Sequence, residues 1–221
     1  MSVELTKILI VGYPKSGNTW LTRLCAQILD CPVEGYWQSD HDEIAVEGKQ
    51  RESRYRCYKS HHVWSELQGF QEQPDHIIYI CRDPRDVYLS GMHYFYDLDP
   101  LKQENKTLLS RLINRFYKEL IGNSRMSEKM FNALVNGDSR VHNVTSTSWF
   151  NHLKPFRENS EVLFLRYEDL LEQPLEEAQK LVRHFEVEKT DQELQDQSIF
   201  NHSTPRVSDT KSLTIKNVTI S

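Results

Sequence analysis

No stretch of this chain approaches the ~18 uninterrupted apolar residues that a membrane-spanning helix needs, so no membrane partner is expected. None of the four cysteines, Cys25, Cys31, Cys57 and Cys81, forms a CxxC pair or a Cys/His pattern of metal-ligand spacing. No metal site is therefore expected, and the four read as reduced core or near-core thiols of a cytoplasmic protein. Basic excess is missing too. There are 27 Lys and Arg against 32 Asp and Glu, a formal net charge of -5. That speaks against a nucleic-acid binder, which needs positive charge to neutralise phosphates, and still allows a local basic pocket. Linkers rich in Gly, Ser or Pro, low-complexity blocks and internal repeats are all absent. At 221 residues, 38% hydrophobic and 27% charged, the chain is expected to form one domain over 1–221 with a sizeable core. The first strand pattern starts by about residue 7, and no signal peptide is expected ahead of it.

What is present is an alternation of buried-strand and helix signals. KILIVGY, at residues 7–13, is a short apolar run that ends in a turn. NTWLTRLCAQIL follows and places Trp20, Leu21, Leu24, Cys25 and Ile28 on one helical face. YRCYKSHH is rich in β-formers, and HIIYICR is a second buried strand. Pro84 then suits the first turn of a helix, which DVYLSGMHYFY continues. Residues 105–157 are helical by pattern. EVLFLRYEDL reads as a third buried strand ending in a polar loop, LEEAQKLVRHF as an amphipathic helix after Pro174, and DQELQDQSIF as another helix. The expected fold is α/β, with a central parallel sheet covered by helices on both faces, a three-layer sandwich. Ligands of such sheets bind at the carboxyl ends of the strands.

Gly12 and Gly17 bracket the turn that follows the first strand. They let the backbone wrap an anion, with the amides of residues 15–19 and the start of a helix facing it. A kinase-type phosphate loop reads G-x-x-x-x-G-K-[ST]. Here Asn18 stands at the lysine position, and the loop's lysine is Lys15, three residues earlier. Thr19 occupies the place of the hydroxyl that holds Mg²⁺. In the second segment, YICRDPRDVYLSGMHYF, Arg82 leaves a buried strand and Ser90 follows eight residues later. A guanidinium and a hydroxyl converging there suit a phosphate, since guanidinium binds phosphate bidentately. Alternatively, Asp83 is the Mg²⁺ ligand of a nucleoside or small-metabolite kinase, or Arg82, Asp83, Arg85 and Asp86 form a surface ion-pair cluster.

YPKSGNTW followed by RDPRDVYLSGMHYF resembles the two nucleotide-binding signatures of the sulfotransferases that use 3′-phosphoadenosine 5′-phosphosulfate (PAPS), the cytosolic and bacterial type. Asn18 is the one departure from that family's P-K-S-G-T-T-W. YKSHHVW resembles its K-T-H segment, and TSWFNHLKPFRENSEVLFLRYEDLLEQP its G-S-W…H…Y-E-D-L stretch. The resemblance covers roughly residues 7–187 and implies a P-loop-NTPase-like fold. It also implies that Lys15, Ser16, Gly17, Asn18, Thr19, Trp20, Arg82, Ser90 and Tyr167 bind PAPS, with Tyr167 near the adenine and Ser90 at the 3′-phosphate. It gives His61 the role of general base, with Lys15 and Lys59 as catalytic cations. His62 competes with His61, because alternation along a strand points the two to opposite sides. The family's R-K-G-x-x-G-x-W-K segment near the C-terminus is missing, and Arg206 and Lys211 are the substitutes on offer.

Three functions remain open at this point: PAPS-dependent sulfuryl transfer to a hydroxyl or amine of a small or carbohydrate-like acceptor, a P-loop kinase, and a non-catalytic binder of the product 3′-phosphoadenosine 5′-phosphate (PAP). Acceptor walls are expected around 33–55, 97–145 and the C-terminal tail, with Tyr36, Trp37, Tyr94, Phe95 and Tyr96 as candidates and the basic ESRYR at 52–56 as an attractor of acidic acceptors or a solvated face. Trp64 and Trp149 read as core. His93, His142 and His152 read as structural or surface residues.

Overall fold

The computed structural model describes residues 5–38, 46–97 and 123–196. Among them six strands form one sheet: β1 Thr6–Val11, β2 Val33–Tyr36, β3 Val46–Glu47, β4 Tyr55–Ser60, β5 His76–Cys81 and β6 Leu163–Arg166. Their order across the sheet is β3-β2-β4-β1-β5-β6. Every pairing is parallel except β2 with β3, at one edge. The helices are α1 Asn18–Ile28, α2 Trp64–Gly69, α3 Pro84–Asp97, α4 Asn123–Asn136, α5 Trp149–Glu158, α6 Tyr167–Glu172 and α7 Pro174–Phe185.

β1 is apolar without alternation because both of its faces are covered. Ile8 and Ile10 join Leu21, Leu24 and Ile28 of α1, Leu170 of α6 and Leu181 and Phe185 of α7 on one face. Leu9 and Val11 join Leu67 of α2, Tyr79 of β5 and Phe156 of α5 on the other. Each such buried side chain contributes about 1.5–3 kcal/mol, which makes β1 the anchor of the sandwich. Trp64 and Trp149 pack against core clusters, as expected.

Four details differ from the sequence reading. β2 and the two-residue β3 carry almost no strand signal; β2 contains Gly35 and a register shift against β4. The short helix α2 escaped notice as well. Tyr167 opens α6 directly after β6, where a polar loop was expected, because Glu168 and Asp169 favour a first helical turn and Leu170 is buried. The helical stretch expected over 105–157 is, in its described part, two helices separated by a turn that includes the 3-10 segment Asn143–Thr145. Gly91 in α3 has a packing reason: a Cβ there would lie 2.6 Å from Met130 of α4. Residues 191–196 are helical, as expected. Residues 105–122, Arg206, Lys211 and the side chain of Tyr96 lie outside those described.

The parallel register aligns the strand ends. Val11 pairs with Ser60, and Cys81 pairs with Arg166. The residues that follow, Gly12, His61, Arg82 and Tyr167, therefore emerge along one edge of the sheet. The basic stretch 52–56 is at the opposite end of β4, where Arg56 pairs with Glu34 at 3.2 Å.

Candidate functional site

Gly12 ends β1 where backbone and side chains crowd. A Cβ on it would approach the Ile80 carbonyl to 2.6 Å. The loop then passes through Lys15, whose φ of 70° is uncommon for a residue with a side chain, and Gly17 at φ 102°. Arg82 pins this strained turn, its Nη1 donating to the Lys15 carbonyl at 3.2 Å. Gly17 is the N-cap of α1; no side chain caps the helix and no acid lies in its first turn. The partial positive charge of that end thus faces the loop without a protein anion. Asn18 ties the loop down instead: its Nδ2 donates to the Ser60 carbonyl at 2.9 Å and the Gly12 carbonyl at 3.3 Å.

A cavity of about 560 Å³ opens above this edge. Of the expected cofactor residues, Lys15, Gly17, Asn18, Thr19, Trp20, Arg82, Ser90 and Tyr167 line it, and so does His61. Among its described lining residues Lys15 and Arg82 are the cations, and none carries a carboxylate. Ser16 is set apart from this group. Its side chain is fully buried under the loop and its amide donates to the Tyr13 carbonyl. The Arg82 guanidinium lies 4.3 Å over the Tyr167 ring, which meets Trp20 edge-on at 5.5 Å. The Lys15 ammonium rests 3.7 Å over the Tyr94 ring. Asp83 turns away into an N-terminal turn of α3. Its carboxylate accepts the Arg85 amide and guanidinium, which hold it down at about 2. That engagement weakens Asp83 as a metal ligand.

A second cavity, of about 300 Å³, adjoins the first. Tyr36, His61 and Val144 line both. Lys59 lies on this second side, nearly buried, with its ammonium 4.5 Å over Tyr36. The expected aromatic wall is divided: Trp37 belongs to the second cavity, Tyr94 and Phe95 to the first, and Tyr36 to both.

His61 stands where the cavities meet, and its tautomer follows from its partner. Its Nδ1 is 2.8 Å from the Gly12 carbonyl, which can only accept, so Nδ1 carries the proton. Nε2 then keeps a lone pair. Burial lowers its pKa to about 4, against a counter-effect of the Gly12 bond, so the ring is neutral at pH 7. His62 is tied to the Ser60 hydroxyl at 2.8 Å and lines only the second cavity.

His152 and His142 are the residues that sequence reasoning undervalued. His152 is buried beneath His61; its Nε2–H donates to the His61 carbonyl at 3.0 Å and its Nδ1 accepts from the Tyr79 hydroxyl at 2.9 Å. Burial lowers its pKa to about 4 as well. His142 lines the first cavity. The histidine within TSWFNH was the available signal for the former.

A model of the sulfotransferase domain matches residues 5–219. The chain belongs to the sulfotransferase domain family. Sulfotransferase 1B1 of Canis lupus familiaris is 27% identical over 208 residues, covering 85% of this chain and 61% of the relative. Sulfotransferase 1E1 of Rattus norvegicus is 28% identical over 198 residues, covering 81% and 58%. The chain thus spans about three fifths of the length of these sulfotransferases. Among solved structures, mouse sulfotransferase SULT7A1 complexed with PAP superposes with a TM-score of 0.59 at 22% identity, over 89% of this chain and 64% of that one. Retinol dehydratase in a complex with retinol and PAP gives 0.52 at 16%, over the same shares. These likenesses establish the sulfotransferase, P-loop-like fold, with its mostly parallel sheet between helical layers.

Proposed function

We propose that residues 1–221 act as a single-domain sulfotransferase that takes PAPS as donor and a small-molecule acceptor. The carrying observation is the pair of cavities that share His61: one basic, with no carboxylate among its described lining residues, built on the open N-terminus of α1, the other beside it. Lys15 and the loop 16–19 would hold the 5′-phosphosulfate. Arg82 and Ser90 would hold the 3′-phosphate, and Trp20 and Tyr167 would flank the adenine. PAPS supplies the sulfuryl group and leaves as PAP. Ser16 enters this reading through the loop backbone, its side chain being buried.

His61 Nε2 takes the proton of the acceptor hydroxyl or amine, since Nδ1 is committed to Gly12. Binding of a polyanionic donor raises the pKa of the ring from its depressed value, which strengthens it as a base when it is needed. Lys15 stabilises charge that grows on the donor's bridging oxygen, and Lys59 acts from the acceptor side. His152 fixes the backbone of the base. Unpaired thiols at all four cysteines support a cytoplasmic location, and among the described residues no helix is long and apolar enough to cross a membrane.

The test is acceptor-dependent release of PAP from PAPS by the full chain in EDTA, over a panel of alcohols, phenols and amines. The expected result is release that H61A and K15A both abolish. Tight binding of PAP without acceptor-dependent release would make the chain a non-catalytic PAP binder. Phosphoryl transfer from ATP and Mg²⁺ would make it a kinase.

A further inference from the structure

The second cavity carries a statement about the acceptor, which rests on the sulfotransferase reading above. Its volume, about 300 Å³, is at the lower end of ligand pockets. Beyond the catalytic pair Lys59 and His61, the polar side chains among its described lining residues are His62, Glu66, Asn143 and Ser146, set around Tyr36. An apolar acceptor entering it would strip water from an imidazole, a carboxylate, an amide and a hydroxyl without replacing their hydrogen bonds, which is costly.

The groups also complement one another. The Ser60 hydroxyl accepts the His62 amide proton at 2.9 Å and lies 2.8 Å from Nδ1 of the same residue. His62 thereby keeps Nε2 for a ligand, as donor or acceptor according to its tautomer. Glu66, in the first turn of α2, commits Oε2 to the Val63 amide at 3.0 Å and leaves carboxylate lone pairs for a ligand. A hydroxyl both donates and accepts, and a polyol does so at neighbouring carbons. A carboxylate or sulfate on the acceptor would face Glu66 with like charge. Lys59, on the same wall with its ammonium over the Tyr36 ring, keeps its charge and offsets that repulsion, so charge alone does not select the acceptor.

We infer that the acceptor is a small hydroxyl-rich molecule of about monosaccharide size, placed by Glu66, His62, Asn143 and Ser146 with one hydroxyl at His61. In the transfer, the S–O bond between sulfuryl group and phosphate breaks and a bond from sulfur to the acceptor oxygen forms. The hydroxyl proton goes to His61, and PAP leaves with the electron pair.

The experiment compares methyl glucoside, glucosamine, glucuronate and 2-naphthol as acceptors with PAPS, and titrates the same four probes into the complex with PAP by calorimetry. Methyl glucoside and glucosamine are expected to bind that complex and to exceed 2-naphthol in kcat/KM by at least about tenfold. In E66Q, glucuronate should gain about tenfold relative to glucosamine. Preference for 2-naphthol, failure of both sugars to bind or turn over, or an unchanged ratio of glucuronate to glucosamine in E66Q would each overturn the inference. Prior calorimetry with PAP alone separates the two claims. Loss of PAP binding removes the sulfotransferase reading itself, whereas intact PAP binding with the wrong acceptor preference removes only this one.

Discussion

A methyl group at Gly17 would strike the site at its most crowded point. An ideal Cβ there lies 2.5 Å and 2.9 Å from two carbons of the Tyr167 ring and 3.2 Å from Ile80. Carbon contacts normally sit at about 3.5–4.0 Å, so the ring must retreat by about 1 Å. The backbone φ of 102° adds about 1–2 kcal/mol for any residue with a Cβ. Displacing Tyr167 weakens its contact with Arg82, which contributes about 0.5–1 kcal/mol at a partly open position. G17A is therefore expected to lose about 2–3 kcal/mol, a fall in Tm of roughly 5–10 °C for a chain of this size. Because Tyr167 and Arg82 both line the first cavity, affinity for PAP should fall about 10–100-fold. G48A is the control. Its φ of 68° carries similar backbone strain, but its Cβ would meet only the flexible Arg51 side chain at 3.2 Å. It should lower Tm and leave PAP affinity unchanged. Differential scanning fluorimetry and calorimetry read the two quantities. Wild-type affinity in G17A, or equal loss of affinity in G48A, would refute the reasoning.

Other outcomes follow from the histidines. H61A should lower turnover about 10²–10⁴-fold while keeping PAP affinity, and H62A should retain turnover through the general base; the reverse pattern in a PAPS assay would transfer the role to His62. In the proposed mechanism the neutral form of His61 is the active one, and its pKa in the free protein is lowered to about 4. The kcat/KM profile for PAPS, which reports the free protein, should therefore stay level from pH 7 down to about 5 and fall through about 4; a fall centred near 6.5 would contradict the assigned environment. His152 also has its pKa lowered to about 4 by burial, below its unfolded value of about 6.5. A depressed pKa contributes stability above the unfolded value and loses it as pH falls through the folded one. Stability should therefore decline between pH 6.5 and 4, by up to about 3 kcal/mol from this residue. H152Q should show a shallower decline in Tm over that range and a reduced kcat, because Tyr79 and the His61 carbonyl lose a shared partner; an identical slope and kcat would remove His152 from the account.

The loop and its two cations were legible because each is a local pattern: an apolar run, a glycine at a forced turn, and a charged residue at the strand's end. Gly12, Lys15, Gly17, Arg82 and Ser90 needed only the expectation that parallel strands end together, and the register of β1, β4, β5 and β6 places their successors along one edge. What depended on distant contacts was hidden. β2 contains Gly35 and is paired by β4 rather than by propensity. His152 is 91 residues from His61 and meets it only when α5 packs over the sheet. Ser16 fits the motif by spacing, yet its side chain points beneath the loop. Tyr36, Tyr94 and Phe95 looked alike as aromatic residues, and only the packing of α3 assigned the latter two to the first cavity.

The most direct test of the central claim is calorimetric titration of PAP into the full chain without divalent metal, repeated with R82A and with ATP and Mg²⁺ as the competing nucleotide. The account predicts tight PAP binding, a loss of at least about tenfold in R82A, where a bidentate phosphate contact is removed, and weaker binding of ATP and Mg²⁺. Preference for ATP and Mg²⁺, or PAP affinity that survives R82A unchanged, would contradict it.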